Sequence, residues 1–145
     1  MKSTNMMKLE IESKSVNESF ARATVSAFAS QLDPTVSELS DIRTAVSEAV
    51  TNCIVHAYRD TVGKIYITAF FTENKTFCVR IRDKGCGIED IEKAKEPLFT
   101  TAGGERAGLG FAVMESFSDK IKISSKVGKG TTVTLYKKIC GRDDA

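Results

Sequence analysis

Apolar positions along the chain recur with two different periods, and the changes of period mark out the elements. Met7, Leu9 and Ile11 alternate with Lys8, Glu10 and Glu12, a period of two that predicts a short half-buried strand. The period then lengthens. Ser15-Val16-Asn17-Glu18 has the capping-box pattern, and Phe20, Ala23, Ala27 and Phe28 follow at helical spacing up to the break at Asp33-Pro34. On that spacing Phe20, Ala23 and Ala27 face the core and Arg22, one turn beyond Glu18, is exposed. A second box, Thr35-Val36-Ser37-Glu38, opens a longer helix to about Tyr58, with Leu39, Ile42, Val46, Ala49 and Cys53 as its apolar stripe.

A polar stretch over 59–64 contains Gly63 and reads as a loop. Residues 65–71 and 76–82 are rich in β-formers and separated by four residues, which predicts an antiparallel hairpin. A short helix over 89–95 gives way to 96–110, where four glycines, one proline and two threonines show no periodicity. So long a loop in a small domain is usually functional. A helix resumes over 111–117, and strands around 121–125 and 131–138 close the chain across Val127-Gly128-Lys129-Gly130.

Composition narrows this picture without adding a partner. The 145 residues fit one domain, 1–145, able to bury roughly 70% of its unfolded surface. With 28% charged residues, 41% apolar ones and net charge +2, there is no pull toward nucleic acid or membrane. The first residues lack an apolar h-region, and no run approaches the ~18 apolar residues of a span, so a cytoplasmic protein is expected. Cys53, Cys78, Cys86 and Cys140 form no C-x-x-C pair. Reduced thiols are expected, with Cys53 and Cys78 in the core.

The candidate chemistry starts on the long helix. Glu48, Asn52 and His56 are spaced i, i+4 and i+8 and line one side of it. An amide oxygen suits Mg²⁺ and a carboxylate one turn away can take a hydroxyl proton, the two needs of phosphoryl transfer. Alone, such a line is an ordinary solvated edge. Three glycine segments follow it. Asp83-Lys84-Gly85-Cys86-Gly87 comes directly after a strand; Gly108-Leu109-Gly110, preceded by Arg106, opens a helix and points backbone N–H groups toward a phosphate; Gly128-Lys129-Gly130-Thr131 precedes the last strand. Each alone reads equally as a turn or a glycine-rich loop. Their order is the specific signal, and no P-loop pattern G-x-x-x-x-G-K-[ST] is present.

That order resembles the nucleotide-binding domain of the GHKL superfamily, which includes gyrase-type ATPases, histidine kinases and anti-sigma-factor kinases. Ser47-Glu48-Ala49-Val50-Thr51-Asn52, Glu96-Pro97-Leu98-Phe99-Thr100-Thr101 and Gly108-Leu109-Gly110-Phe111-Ala112-Val113-Met114-Glu115 are similar to the anti-sigma-F serine kinases of sporulation. The resemblance implies a two-layer α/β sandwich of the Bergerat type, with a mixed, mostly antiparallel sheet, helices on one face and an ATP lid over about 97–107. It implies Glu48 as catalytic base and Asn52 as Mg²⁺ ligand. Asp83 becomes the adenine contact with Gly85 and Gly87 beside it, Arg106, Gly108 and Gly110 the phosphate contacts, and Thr131 the adenine-side threonine. A sigma factor is the implied partner, met by Arg22 on the first long helix. An antagonist protein is the implied substrate, and a homodimer the implied assembly. His56 is expected to be packing or lid support.

Related activities fit less well. A sensor histidine kinase needs a phosphoacceptor His on a dimerisation helix, and the single His here, His56, lies within the first box, at its last position. A gyrase-type ATPase couples hydrolysis to a following transducer domain, for which this chain has no room. A binding module without transfer would lack the base, whereas Glu48 is present. A stress-response anti-sigma-B kinase would share the site and differ in the sigma factor bound.

Overall fold

The computed structural model describes residues 3–94 and 110–141. In chain order these form β1 (Ser3–Glu12), α1 (Val16–Ala29), α2 (Val36–Asn52), β2 (Lys64–Thr72), β3 (Thr76–Asp83), α3 (Ile91–Ala94), α4 (Phe111–Ser116), β4 (Lys120–Lys126) and β5 (Gly130–Lys138). The strands make one five-stranded sheet in the order β1-β2-β3-β5-β4. Every pairing among the described residues is antiparallel, where the resemblance implied a mixed sheet. The helical pair α1–α2 between β1 and β2 returns the chain so that β2 runs opposite to β1, and no parallel neighbour arises.

Strand alternation decides which layer each side chain enters. Ile65, Ile67, Ala69, Phe77, Val79, Ile81, Val133 and Leu135, all odd-numbered, are buried and face the helices. From the helical layer Val25, Ile42, Val46, Val50, Phe111 and Met114 complete the core. The result is the expected α/β sandwich with helices on one face. No helix among the described residues is long and apolar enough to cross a membrane.

α1 is turned relative to the expected stripe. Ala21, Val25 and Ala29 are its buried line, whereas Ala23 and Ala27 are exposed and Phe20 is 52% exposed. The small residues at i, i+4 and i+8 let α1 lie close on α2, and Phe28 alone of the aromatics on this helix turns inward, 5.4 Å from the Phe71 ring. Arg22 is not freely exposed. Its side chain is 34% accessible and its Nη1 lies 3.5 Å from Glu18 Oε2. That pairing takes Glu18 away from the expected capping box, and Ser15, itself helical at φ −58°, makes no side-chain cap.

The second box forms as expected. Glu38 N–H donates to Thr35 Oγ1 at 3.0 Å and Thr35 N–H to Glu38 Oε1 at 2.9 Å. Glu38 also accepts from the backbone N–H groups of Cys140 at 2.7 Å and Gly141 at 3.1 Å, tying the end of the described chain to the start of α2. Burial raises its pKa, but these N–H donors and the Thr35 hydroxyl outweigh that and leave it lowered. A depressed carboxylate contributes stability above its unfolded pKa and loses it as pH falls through the folded value. Glu38→Gln is therefore expected to cost about 1–2 kcal/mol near neutral pH, measured by denaturant unfolding. The difference from wild type should shrink below pH ~4.3; equal stability at pH 7 would contradict this role.

Candidate nucleotide site

Asp83 is the last residue of β3, and alternation turns it toward the helical layer, where it is only 6% exposed. Its Oδ1 accepts from Gly85 N–H at 3.0 Å and Thr131 N–H at 3.1 Å, and its Oδ2 from the Cys53 thiol at 3.5 Å. Burial pushes the Asp83 carboxyl pKa up, while those three donors pull it back. Cys53 stays protonated as the donor: burial, with the Asp83 charge beside it, holds its thiol well above the ordinary range. Oδ1 is thus filled by two backbone donors, and Oδ2 keeps capacity for one more.

The loop after Asp83 is clamped from both sides. Cys86 N–H donates to Ala57 O at 3.2 Å and Gly128 N–H donates to Cys86 O at 2.8 Å. A Cβ on Gly85 would overlap Ala57 O, so only glycine lets the loop approach that carbonyl. Ala57 closes a π-helical turn, Cys53–Ala57, which continues α2. His56 lies in this turn, is 6% exposed and lines the same cavity as Asn52. The Tyr58 hydroxyl fixes the loop's other flank, accepting from Lys84 N–H at 2.7 Å and donating to Lys64 O at 2.6 Å.

Between the end of α2, this loop and the β4–β5 turn lies a cavity of about 970 Å³, lined by Asn52, His56, Asp83, Gly87 and Thr131 among others. That is the upper end of the range for small-molecule pockets. Glu48 stands one turn before Asn52 and meets Gly110 at the start of α4. A Cβ on Gly110, whose φ is 72°, would overlap Glu48 Oε2. Only glycine leaves room for the carboxylate at this point. The structure so gathers Asn52, Asp83, Gly87 and Thr131 around one cavity, with Gly85 packed behind it and Glu48 against Gly110. Arg22 sits apart on α1. Arg106, Gly108 and the 97–107 lid lie outside the described residues.

Three residues of this site escaped sequence reading. Cys53 reads as core, Tyr58 as the last residue of a helix, and Ser125 as the end of a strand. For Ser125 a signal existed: it breaks the apolar alternation Ile121, Ile123 on the cavity side. Its hydroxyl accepts from Ile88 N–H at 2.7 Å and lies 2.7 Å from Thr131 Oγ1.

Known proteins resemble this chain in sequence and in fold. A family model described as histidine kinase-like ATPase domain matches residues 11–137. A chain of Caldanaerobacter subterraneus subsp. tengcongensis named anti-sigma F factor is 56% identical over 140 residues, covering 96% of this chain and 97% of that one. One of the same name from Clostridium acetobutylicum is 50% identical over 141 residues, covering 97% and 98%. Among solved structures, the RsbU and RsbW domains of a Mycobacterium tuberculosis protein superpose with TM-score 0.70 at 20% identity, covering 94% of this chain and 33% of that one. A blue-light activated histidine kinase of Erythrobacter litoralis gives TM-score 0.59 at 18% identity, over 81% of this chain and 59% of that one.

Asp83→Asn places an amide NH₂ where only acceptors satisfy the surrounding donors. ATP binding is expected to weaken by about 1–3 kcal/mol. In the wild type, the raised carboxyl pKa means that affinity falls, as pH drops, earlier than for an ordinary aspartate at ~3.9. Calorimetry across pH checks both; unchanged affinity in the mutant would remove Asp83 from the site.

Proposed function

The chain belongs to the histidine kinase-like ATPase family, beside relatives named anti-sigma F factor, and on that footing we propose that it is an anti-sigma factor that doubles as a protein serine kinase. It sequesters a sigma factor of the sigma-F type. With ATP it phosphorylates a serine of the antagonist protein that would release that sigma factor. The observation that carries the reading is the cavity itself: a buried aspartate with one oxygen open at one wall, and Asn52, one helical turn from Glu48, at another.

Asp83 Oδ2 accepts from the exocyclic amino group of the base. Because Oδ1 is occupied, the carboxylate offers a single acceptor, which suits one amino group better than the paired N–H groups of guanine. Glu48, packed against Gly110, takes the serine proton as the serine oxygen bonds to the γ-phosphorus and ADP departs. The donors suit Mg²⁺. Asn52 offers a neutral oxygen at the cavity wall, the kind of ligand that such an ion takes. Asn52 would hold the ion, which when bound neutralises charge on the phosphates.

Sigma binding falls on a different surface. Along α1, Val16 is 74% and Phe20 52% exposed, with Ala23 and Ala27 on the same outer side and Arg22 beside them. An apolar strip rimmed by charge is the composition of a docking face. The same partner model includes a homodimer, in keeping with the resemblance.

Two expected outcomes separate the activities. Glu48→Gln should lower single-turnover transfer of radiolabelled phosphate to the antagonist by about 10²–10⁴-fold while ATP and sigma affinities persist. Near-normal transfer would exclude Glu48 as the base, and loss of all three activities would make it structural. Arg22→Glu should break the Glu18 pair and set a negative charge on the docking face, weakening sigma binding with ATP affinity intact. Equal pull-down by mutant and wild type would confine Arg22 to its intrahelical pair.

A further inference from the structure

The sheet has a second face that the cavity does not use. Odd-numbered strand positions face the helices, so even-numbered ones face away from them. Across that outer face the strand register lines up Lys8, Thr68, Arg80, Thr134 and Lys122, one residue from each strand. The three cations of this row are exposed and stand on alternate strands, about 9.5 Å apart. Arg82, Lys84 and Lys120 are exposed on the same side. The strand carboxylates of this face are Glu10 and Glu12, both on the edge strand β1, and each already has a lysine beside it: Lys64 at 3.2 Å and Lys14 at 3.4 Å. Among the described residues no ion pair engages Lys8, Arg80 or Lys122. A chain of net charge +2 so gathers six cations on one surface, which draws an anionic partner.

The side chains around the row narrow the kind of partner. Arg82 and Lys84 each lie 5.0 Å from the centre of the Tyr66 ring, and Lys120 and Lys122 lie 5.9 and 5.7 Å from that of Tyr136. Each ring already holds two cations, so neither is an open platform for stacking nucleic-acid bases. Met6, 47% exposed, is the one large apolar side chain that the described strands expose on this face, too little to enter a bilayer. An acidic protein segment fits, and the spacing of the row selects its form. A β-strand sets same-face carboxylates about 6.6 or 13 Å apart, whereas a helix sets residues i and i+7 on one face about 10.5 Å apart. We propose that the outer face of the sheet docks an acidic helix of a partner protein, laid across the strands with carboxylates two turns apart over Lys8, Arg80 and Lys122. Arg80, at the centre of the row, can take its carboxylate through two parallel N–H donors. The helix would lie on the opposite side of the sheet from α1 and the cavity, leaving both free.

The probe is a fluorescein-labelled helical peptide with Glu at i, i+7 and i+14, and its control is an isomer of the same composition with those Glu spread around the helix. Anisotropy titrations compare wild type with Arg80→Glu/Lys122→Glu and with Arg43→Glu/Lys75→Glu, an equal charge change at exposed cations on α2 and in the β2–β3 turn. Wild type is expected to bind the one-sided peptide about fivefold or more tighter than the isomer, with affinity falling as salt rises. Arg80→Glu/Lys122→Glu should lose about tenfold or more of that affinity, and Arg43→Glu/Lys75→Glu less than about threefold. Circular dichroism checks that each variant folds; Arg80→Gln/Lys122→Gln, which removes the charges without reversing them, should show an intermediate loss and carries the comparison if the Glu variant does not fold. No preference for the one-sided peptide, or equal losses in the two charge-reversed variants, overturns the docking face. Tighter binding of an oligo-dT strand, or of phosphatidylserine vesicles, than of the peptide overturns it in favour of nucleic acid or a lipid surface.

Discussion

Asp83 carries a carboxylate into the seam between the sheet and the helical layer, where it is 6% exposed, and a buried carboxylate must be met by donors or be neutralised. The donors come from three separate parts of the chain. Gly85 belongs to the loop that follows Asp83, Thr131 to β5, and Cys53 to the end of α2. Satisfying one side chain therefore fixes the loop, the adjacent strand and the helix end relative to one another. Those three elements are the walls of the cavity. What stabilises the buried charge is the same set of bonds that shapes the site.

The π-helical turn after α2 makes this meeting possible. Its carbonyls reach the loop through Ala57 O, which accepts from Cys86 N–H, and its His56 is buried at the wall of the same cavity. π-turns within helices are frequent at functional sites. Here the turn gives the following loop a place to anchor. Tyr58 then bridges Lys84 to Lys64, so that the start of β2 is tied to the same loop. The outer side of α1, with Phe20 and Val16 in solvent, lies on a separate helix face and is free to meet a partner.

Much of the architecture was legible because it rests on period and punctuation. The β-formers of 65–71 and 76–82 and the four residues between them produced β2 and β3, the Thr35 box produced the start of α2, and Cys53 and Cys78 are buried as expected. The α1 register was misread because Phe20 outweighs Ala21, Val25 and Ala29 in hydrophobicity, while close helix packing favours the smaller residues. Ser15 looked like a cap because the four-residue pattern was present, but Glu18 lies beside Arg22 one turn on, and Ser15 makes no side-chain cap. The residues missed at the site share one feature. Cys53, Tyr58 and Ser125 act through bonds to residues 30, 26 and 37 positions away, to Asp83, Lys84 and Ile88 respectively, and no local spacing encodes such contacts.

A crystal structure with Mg²⁺ and a non-hydrolysable ATP analogue tests the central claim most directly. The expected result places the exocyclic amino group within hydrogen-bond distance of Asp83 Oδ2, the ring edge against Thr131, and the phosphates running toward Asn52 and Gly110. A nucleotide bound elsewhere, or seated in this cavity with its base away from Asp83, would contradict the view that this buried carboxylate organises the site.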